Sequence, residues 1–325
     1  MSKPLMCDPE LLRLDLSGRI YVVTGANSGI GLVVAKQLAQ QGATVVMACR
    51  RIADAQRCIT EAGSLRGELV AMRLDLGDLA SVRAFASEFC AQHTKLDGLI
   101  NNAGVMNTPK GETKDGFELQ IGINHLGHFL LTELLLDLLK KSAPSRIVNV
   151  SSCYHDKAMG REGEVDLADL HFKRRRYDGW KAYAQSKLAN VLHAKKLAEV
   201  LQGSGVTAVS VHPGWVRTRL ARNTLPLWVQ NVVLRPALHL MGMIEPWEGA
   251  QTTLYAVLEA SVETHSGEFF SQLGIYRDKS ANSGGWPLRS PNPHAHDGAL
   301  ADALHEKSRE LVGLHRPQHE APAAG

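Results

Sequence analysis

The chain has 325 residues, of which 44% are hydrophobic and 21% charged, and its formal net charge is +3. This is ordinary globular usage with ample material for a buried core, which excludes a disordered or fibrous chain. So small a charge excess leaves no broad electrostatic footprint for nucleic acid. The five cysteines (Cys7, Cys49, Cys58, Cys90 and Cys153) form no CxxC pair and no pattern that continues into spaced histidines. No metal site and no disulfide framework are expected, and a reducing compartment, the cytoplasm, suits them.

Residues 1–17 read as an N-terminal extension in which Asp8, Glu10, Arg13 and Asp15 interrupt the apolar core that a signal peptide or membrane anchor needs. No other apolar stretch reaches the roughly 18 uninterrupted residues of a membrane helix. Ile20–Thr24 is a β-branched run followed by a glycine-rich turn, and Gly31–Gln41 then carries apolar residues at helical spacing. Strand-like runs recur at Ala43–Ala48, Leu69–Leu74, Gly98–Ile100, Arg146–Val150 and Val206–Val211. Helical patterns lie between them at Leu79–Phe89, Phe117–Lys141 and Trp180–Leu201. Such alternation predicts one α/β domain over 18–314, a doubly wound parallel sheet of Rossmann type. Gly267–Phe270 reads as a last strand and Ala299–Val312 as a closing helix, with a disordered tail over 315–325. Leu225–Ile244 is apolar but broken by Pro226, Arg235, Pro236 and Gly242. It reads as a flap over about 220–246 that covers a substrate, or equally as a packed surface helix or a contact within a homodimer.

The turn Thr24-Gly25-Ala26-Asn27-Ser28-Gly29-Ile30-Gly31 joins the first strand to the first helix. In that position glycines let the backbone approach a pyrophosphate at a helix N-terminus. Where an acidic residue would close the second strand and bind a ribose 2′-hydroxyl, this chain has Cys49-Arg50-Arg51. A guanidinium at Arg50 can pair with a 2′-phosphate that a carboxylate would repel, so NADP(H) is expected over NAD(H). Asp75, after the third strand, can accept a hydrogen bond from an adenine amino group or simply start a helix. Asn102, Ala103 and Gly104 follow the fourth strand at the carboxyl edge of the sheet, where ligands bind in open α/β folds.

Tyr183 and Lys187 stand four residues apart in a helical pattern and so share a face. A free phenol has a pKa of about 10, and a neighbouring cation lowers it toward the range useful for proton transfer. Ser152, ending the fifth strand, can donate a hydrogen bond to a substrate oxygen, with Ser151 as the alternative. Asn124 can hold a water beside the lysine. Cys153 lacks an adjacent base, and no histidine pair has a metal-ligand spacing.

Ordered along the chain, Gly25, Gly29 and Gly31, Asn101-Asn102-Ala103-Gly104, Asn124, Ser152, Tyr183 and Lys187 resemble the short-chain dehydrogenase/reductase family over roughly Leu16–Gly313. Asn124-His-Leu-Gly-His-Phe-Leu-Leu-Thr132, Tyr183-Ala-Gln-Ser-Lys-Leu-Ala-Asn190 and His212-Pro-Gly-Trp-Val-Arg-Thr218 are similar to its retinol-dehydrogenase-like branch, as are Glu248-Gly-Ala-Gln-Thr252 and Ser266-Gly-Glu-Phe-Phe270. The resemblance implies that Tyr183 is the acid/base, that Ser152 orients the carbonyl and that Asn124 and Lys187 relay protons. It also implies that Pro213, Gly214, Val216 and Thr218 lie along the nicotinamide end. The expected reaction is hydride exchange between NADP(H) and a lipophilic alcohol or carbonyl. Reduction of a carbon–carbon double bond and a non-catalytic dinucleotide sensor or scaffold are the alternatives. Branch members commonly begin with an apolar anchor that this sequence lacks. Its Lys173-Arg174-Arg175-Arg176 run reads as a solvated loop or as a peripheral contact with anionic membrane lipid.

Overall fold

The computed structural model describes residues 3–158, 161–216 and 243–314. Seven parallel strands form one sheet: β1 (Ile20–Thr24), β2 (Thr44–Cys49), β3 (Glu68–Arg73), β4 (Gly98–Asn101), β5 (Ser145–Val150), β6 (Val206–His212) and β7 (Phe269–Ser271). Their spatial order is β3-β2-β1-β4-β5-β6-β7. The order reverses between β1 and β4, so the crevice of this doubly wound fold lies at their carboxyl ends.

The strands are apolar on both sides because both faces are covered. Side chains alternate, so Val23, Val45, Ile100, Val148 and Val209 enter one core with Val34 and Leu38 of α1 (Gly29–Gln40). Val22, Val46, Leu99, Ile147 and Ala208 enter the opposite core. There they meet Phe85 and Phe89 of α3 (Leu79–Gln92) and Phe129 and Leu135 of α4 (Gly127–Lys141). Between α1 and α3 lies α2 (Ile52–Ala62). After α4 come α5 (Gly179–Val200), α6 (Pro246–Leu258) and α7 (Gly298–Leu311).

Among the described residues the expected strands and, apart from the one over Phe117–Lys141, the expected helices appear with bounds shifted by at most three residues. The helix expected over Phe117–Lys141 is instead segmented: a short turn at Leu119–Ile121 and a π-helical stretch at Gly122–Leu126 precede α4. A β-carbon at Gly122 would stand 2.4 Å from Thr113 Cγ2, and one at Gly127 2.5 Å from the Leu76 carbonyl. Missing side chains at both ends let this stretch press against its neighbours, and it carries Asn124; π-bulges often occur at functional positions. Helices α2 and α6 lie outside the expected set. Residues 3–16 pack onto the domain, burying Cys7, Leu11 and Leu16. The flap proper, the tail and Thr218 lie outside the described residues.

Candidate active site

The glycine turn sits at the carboxyl end of β1. Gly25 and Gly29 take φ of +66° and +56°, the left-handed region that other residues avoid. Gly31 is required by space: a β-carbon there would meet Asn102 Nδ2 at 2.4 Å and the Gly25 carbonyl at 3.0 Å. Ser28 is the N-cap of α1, yet its hydroxyl does not cap, so first-turn N–H groups remain free for an anion. Asn27, Ser28 and Ile30 are partly exposed along the same turn. A pyrophosphate fits this cradle of missing β-carbons and uncapped amides.

Thr24 ties this turn to the next loop. Its hydroxyl accepts the backbone N–H groups of Asn102 and Ala103, each at 2.9 Å, while Asn102 Nδ2 donates to the Thr24 carbonyl at 2.8 Å. His128 Nε2 lies 2.8 Å from the same hydroxyl. Gly104 continues the loop against Asn124 and Lys187, whose Oδ1 and Nζ would lie 3.1 and 3.6 Å from an added β-carbon. The Asn124 side chain is fully buried; it accepts from Val105 N–H and donates to the Val105 carbonyl and to Ser186 Oγ.

Ser152, Tyr183 and Lys187 come together behind this loop. Ser151 and Ser152 separate cleanly: Ser151 Oγ donates to the Lys187 carbonyl at 2.7 Å and serves the helix, whereas Ser152 hydrogen-bonds the Tyr183 phenol. Lys187 Nζ donates to the Val150 carbonyl at 2.9 Å and lies 5.6 Å from the centre of the Tyr183 ring. Burial dominates both groups. It pushes the Tyr183 phenol above its usual range, with the Ser152 hydrogen bond opposing, and brings the Lys187 ammonium down to about 7. The expectation that Lys187 alone lowers the phenol's pKa is therefore too simple, because desolvation acts against both charges and favours a neutral pair. At neutral pH the phenol holds its proton, and Lys187 exchanges one readily.

Residues that the sequence reading passed over complete the site. Tyr154 and Trp180 stack at 4.8 Å between ring centres, and both rings stand edge-on to Tyr183 at 5.8 and 6.4 Å. His155 Nδ1 donates to the Ser152 carbonyl at 2.6 Å, steadying the serine from behind. An aromatic residue two positions after Ser152 was the available signal for Tyr154; nothing in the sequence distinguished the histidines.

Other predicted positions lie further out. Arg51 pairs with Asp54, whereas Arg50 is exposed and makes no ion pair among the described residues. One carboxylate oxygen of Asp75 accepts the Gly77 N–H at 3.0 Å. Pro213 is buried; Gly214 has φ +93°, and its β-carbon would meet Ile244 Cδ1 at 2.7 Å. Val216 packs so tightly on α6 that a β-carbon at Gly249 would lie 2.4 Å from its Cγ2, which explains the glycine in Glu248-Gly-Ala. Among the described residues no group of three or more His, Cys, Asp or Glu side chains could hold a metal ion, and no helix is long and apolar enough to cross a membrane.

This architecture is that of a dinucleotide-dependent oxidoreductase, and comparison with known proteins agrees. A family model described as short chain dehydrogenase matches residues 19–162. Human retinol dehydrogenase 11 is 45% identical over 307 residues, covering 93% of this chain and 88% of its own length. Human retinol dehydrogenase 13 is 41% identical over 312 residues, covering 94% and 88%. A crystal structure of an uncharacterized protein from Mycobacterium Paratuberculosis superposes with a TM-score of 0.73 at 36% identity, covering 94% of this chain and 97% of the other. The chain belongs to the short-chain dehydrogenase family, whose oxidoreductases use a nicotinamide dinucleotide. Within that family it falls in the retinol-dehydrogenase-like branch.

Proposed function

We propose that the chain is an NADP(H)-dependent enzyme that interconverts a lipophilic alcohol and its aldehyde or ketone. The observation that carries the reading is the convergence of Ser152, Tyr183 and Lys187 beside the glycine cradle. The nicotinamide, when bound, supplies or accepts the hydride at the carbonyl carbon. Ser152 donates a hydrogen bond to the substrate oxygen, and Tyr183 delivers the proton that oxygen gains in reduction, or removes it in oxidation. Lys187, poised near neutrality, restores the phenol's charge state, and Asn124 fixes the loop against which Lys187 stands.

Arg50, exposed and without an ion pair among the described residues, supports the choice of the phosphorylated cofactor, and Asp75 suits the adenine end. Pro213, Gly214, Val216 and Thr218 would wall the nicotinamide. The Tyr154–Trp180 stack beside Tyr183 and the names of the relatives support a lipophilic substrate. The enzyme would act on small molecules in the cytoplasm. Lys173, Arg174 and Arg176 are exposed, with no side-chain ion pair among the described residues, while Arg175 is held at 4.0 Å over Phe172. The three exposed cations suit transient contact with anionic lipid, which flotation with charged and neutral liposomes would reveal.

The test is turnover by purified protein with NADPH or NADH against retinal, long-chain aldehydes, steroid ketones and quinones, with product masses determined. Wild type should prefer NADPH, and Arg50→Ala should lose that preference. Tyr183→Phe should bind cofactor but not turn over. Substantial activity in Tyr183→Phe, or saturation of a carbon–carbon bond in the product, would overturn the proposal.

A further inference from the structure

Hydrogen-bond arithmetic at His128 connects the two halves of the site. The side chain is 2% exposed and lies on the first turn of α4. Its Nδ1 is 3.1 Å from the Asn124 carbonyl oxygen and its Nε2 2.8 Å from Thr24 Oγ1. A carbonyl only accepts, so Nδ1 carries a proton. Thr24 Oγ1 already accepts N–H bonds from Asn102 and Ala103. Two lone pairs cannot take a third donor, so the threonine hydroxyl donates, and of the two acceptors in its reach Nε2 at 2.8 Å is closer than the Ile100 carbonyl at 3.4 Å. Ring tautomer, hydroxyl direction and both loop amides are thus fixed together. Burial holds the ring down to about 3, with Lys187 and His125 acting in the same direction, so it stays neutral at working pH.

We propose that His128 is a positioning residue that holds two segments at once, the proton-handling segment at Asn124 through Nδ1 and the dinucleotide loop at Thr24, Asn102 and Ala103 through Nε2. The proposal rests on the reading of this site as one for hydride and proton transfer. It assigns His128 no contact with substrate or cofactor.

The two ring nitrogens can be tested separately. The amide of asparagine reaches about as far as Nδ1, and that of glutamine about as far as Nε2. His128→Asn should keep the Asn124 bond and release Thr24, raising the dissociation constant for NADPH about tenfold, the scale of one buried hydrogen bond, with kcat and its pH profile unchanged. His128→Gln should do the reverse: NADPH binding as in wild type, but a lower kcat and a displaced limb of the kcat–pH profile. Thr24→Val removes that hydroxyl together with the acceptor of the Asn102 and Ala103 N–H groups, and should weaken NADPH binding at least as much as His128→Asn. Binding is read from nucleotide fluorescence, which needs no turnover, and folding from circular dichroism. If Asn and Gln variants fold and change binding and kcat alike, or change neither, His128 is not the link. If wild type binds NADPH yet reduces no carbonyl, the functional reading fails instead, while the binding comparison still reports on the lock.

Discussion

Lowering the pH should unfold this protein well before its carboxylates protonate. His125, His128 and His212 are fully buried and held by desolvation at about 3, and His155 likewise at about 4. An unfolded histidine titrates near 6.5, so below that pH the unfolded chain takes up protons that the native state refuses. Stability is therefore complete above about 6.5 and falls as the pH drops toward the native values. At pH 5 each of the four costs about 2 kcal/mol, together about 8, which is comparable with the entire stability of a typical domain, about 5–15 kcal/mol. Thermal melts by circular dichroism from pH 7.5 to 4.5 should show Tm falling steeply below 6.5, with loss of the native state at room temperature near pH 5. Calorimetry at pH 6 in buffers of different ionisation enthalpy should show net proton uptake on unfolding. A Tm that stays level down to pH 5, or unfolding without proton uptake, would refute the reasoning.

Four further outcomes are expected. Gly31→Ala would place a methyl against Asn102 Nδ2; overpacking of this kind costs about 1–3 kcal/mol, so titration should show weakened NADPH binding. Ser152→Ala should lower kcat about 10²-fold with little change in Tm. Ser151→Ala, which loses the bond to the Lys187 carbonyl, should cost about 1 kcal/mol of stability in a denaturant melt and affect turnover less. Because burial raises the Tyr183 phenol, carbonyl reduction should hold its rate through neutral pH, while alcohol oxidation should rise with pH as the phenolate forms; initial rates in both directions would reveal the difference.

The alternation of strands and helices was legible because each strand is a short β-branched run bounded by turn residues, and Tyr183, Lys187 and the glycines stood out through their order. Helix α6 carried a readable start, Glu245-Pro246 with Glu248 following, and the Glu245 N–H does donate to the Glu248 carboxylate at 2.8 Å. Its mixed small and apolar residues, buried on several sides, blurred the periodicity that marks a half-exposed helix. The choice between Ser151 and Ser152 could not be read, since adjacent residues at a strand end differ only in which way the pleat turns them. Thr24 and His128 were illegible for a deeper reason. Their roles come from hydrogen bonds between segments about 100 residues apart, and a threonine in a strand or a histidine in an apolar helix has an ordinary local explanation.

The arm at the start of the chain has a consequence for how the protein is made. Gln272 clasps the Leu5 peptide from both sides, receiving its N–H at 2.6 Å and donating to its carbonyl at 2.8 Å. Gln251 holds the Cys7 N–H at 3.1 Å across a sequence separation of 244 residues. At about 5–20 residues per second, a ribosome needs roughly 12–50 s to supply those partners. For that interval the segment around Leu5 and Cys7 has no seat, and the arm is among the last pieces to be fastened.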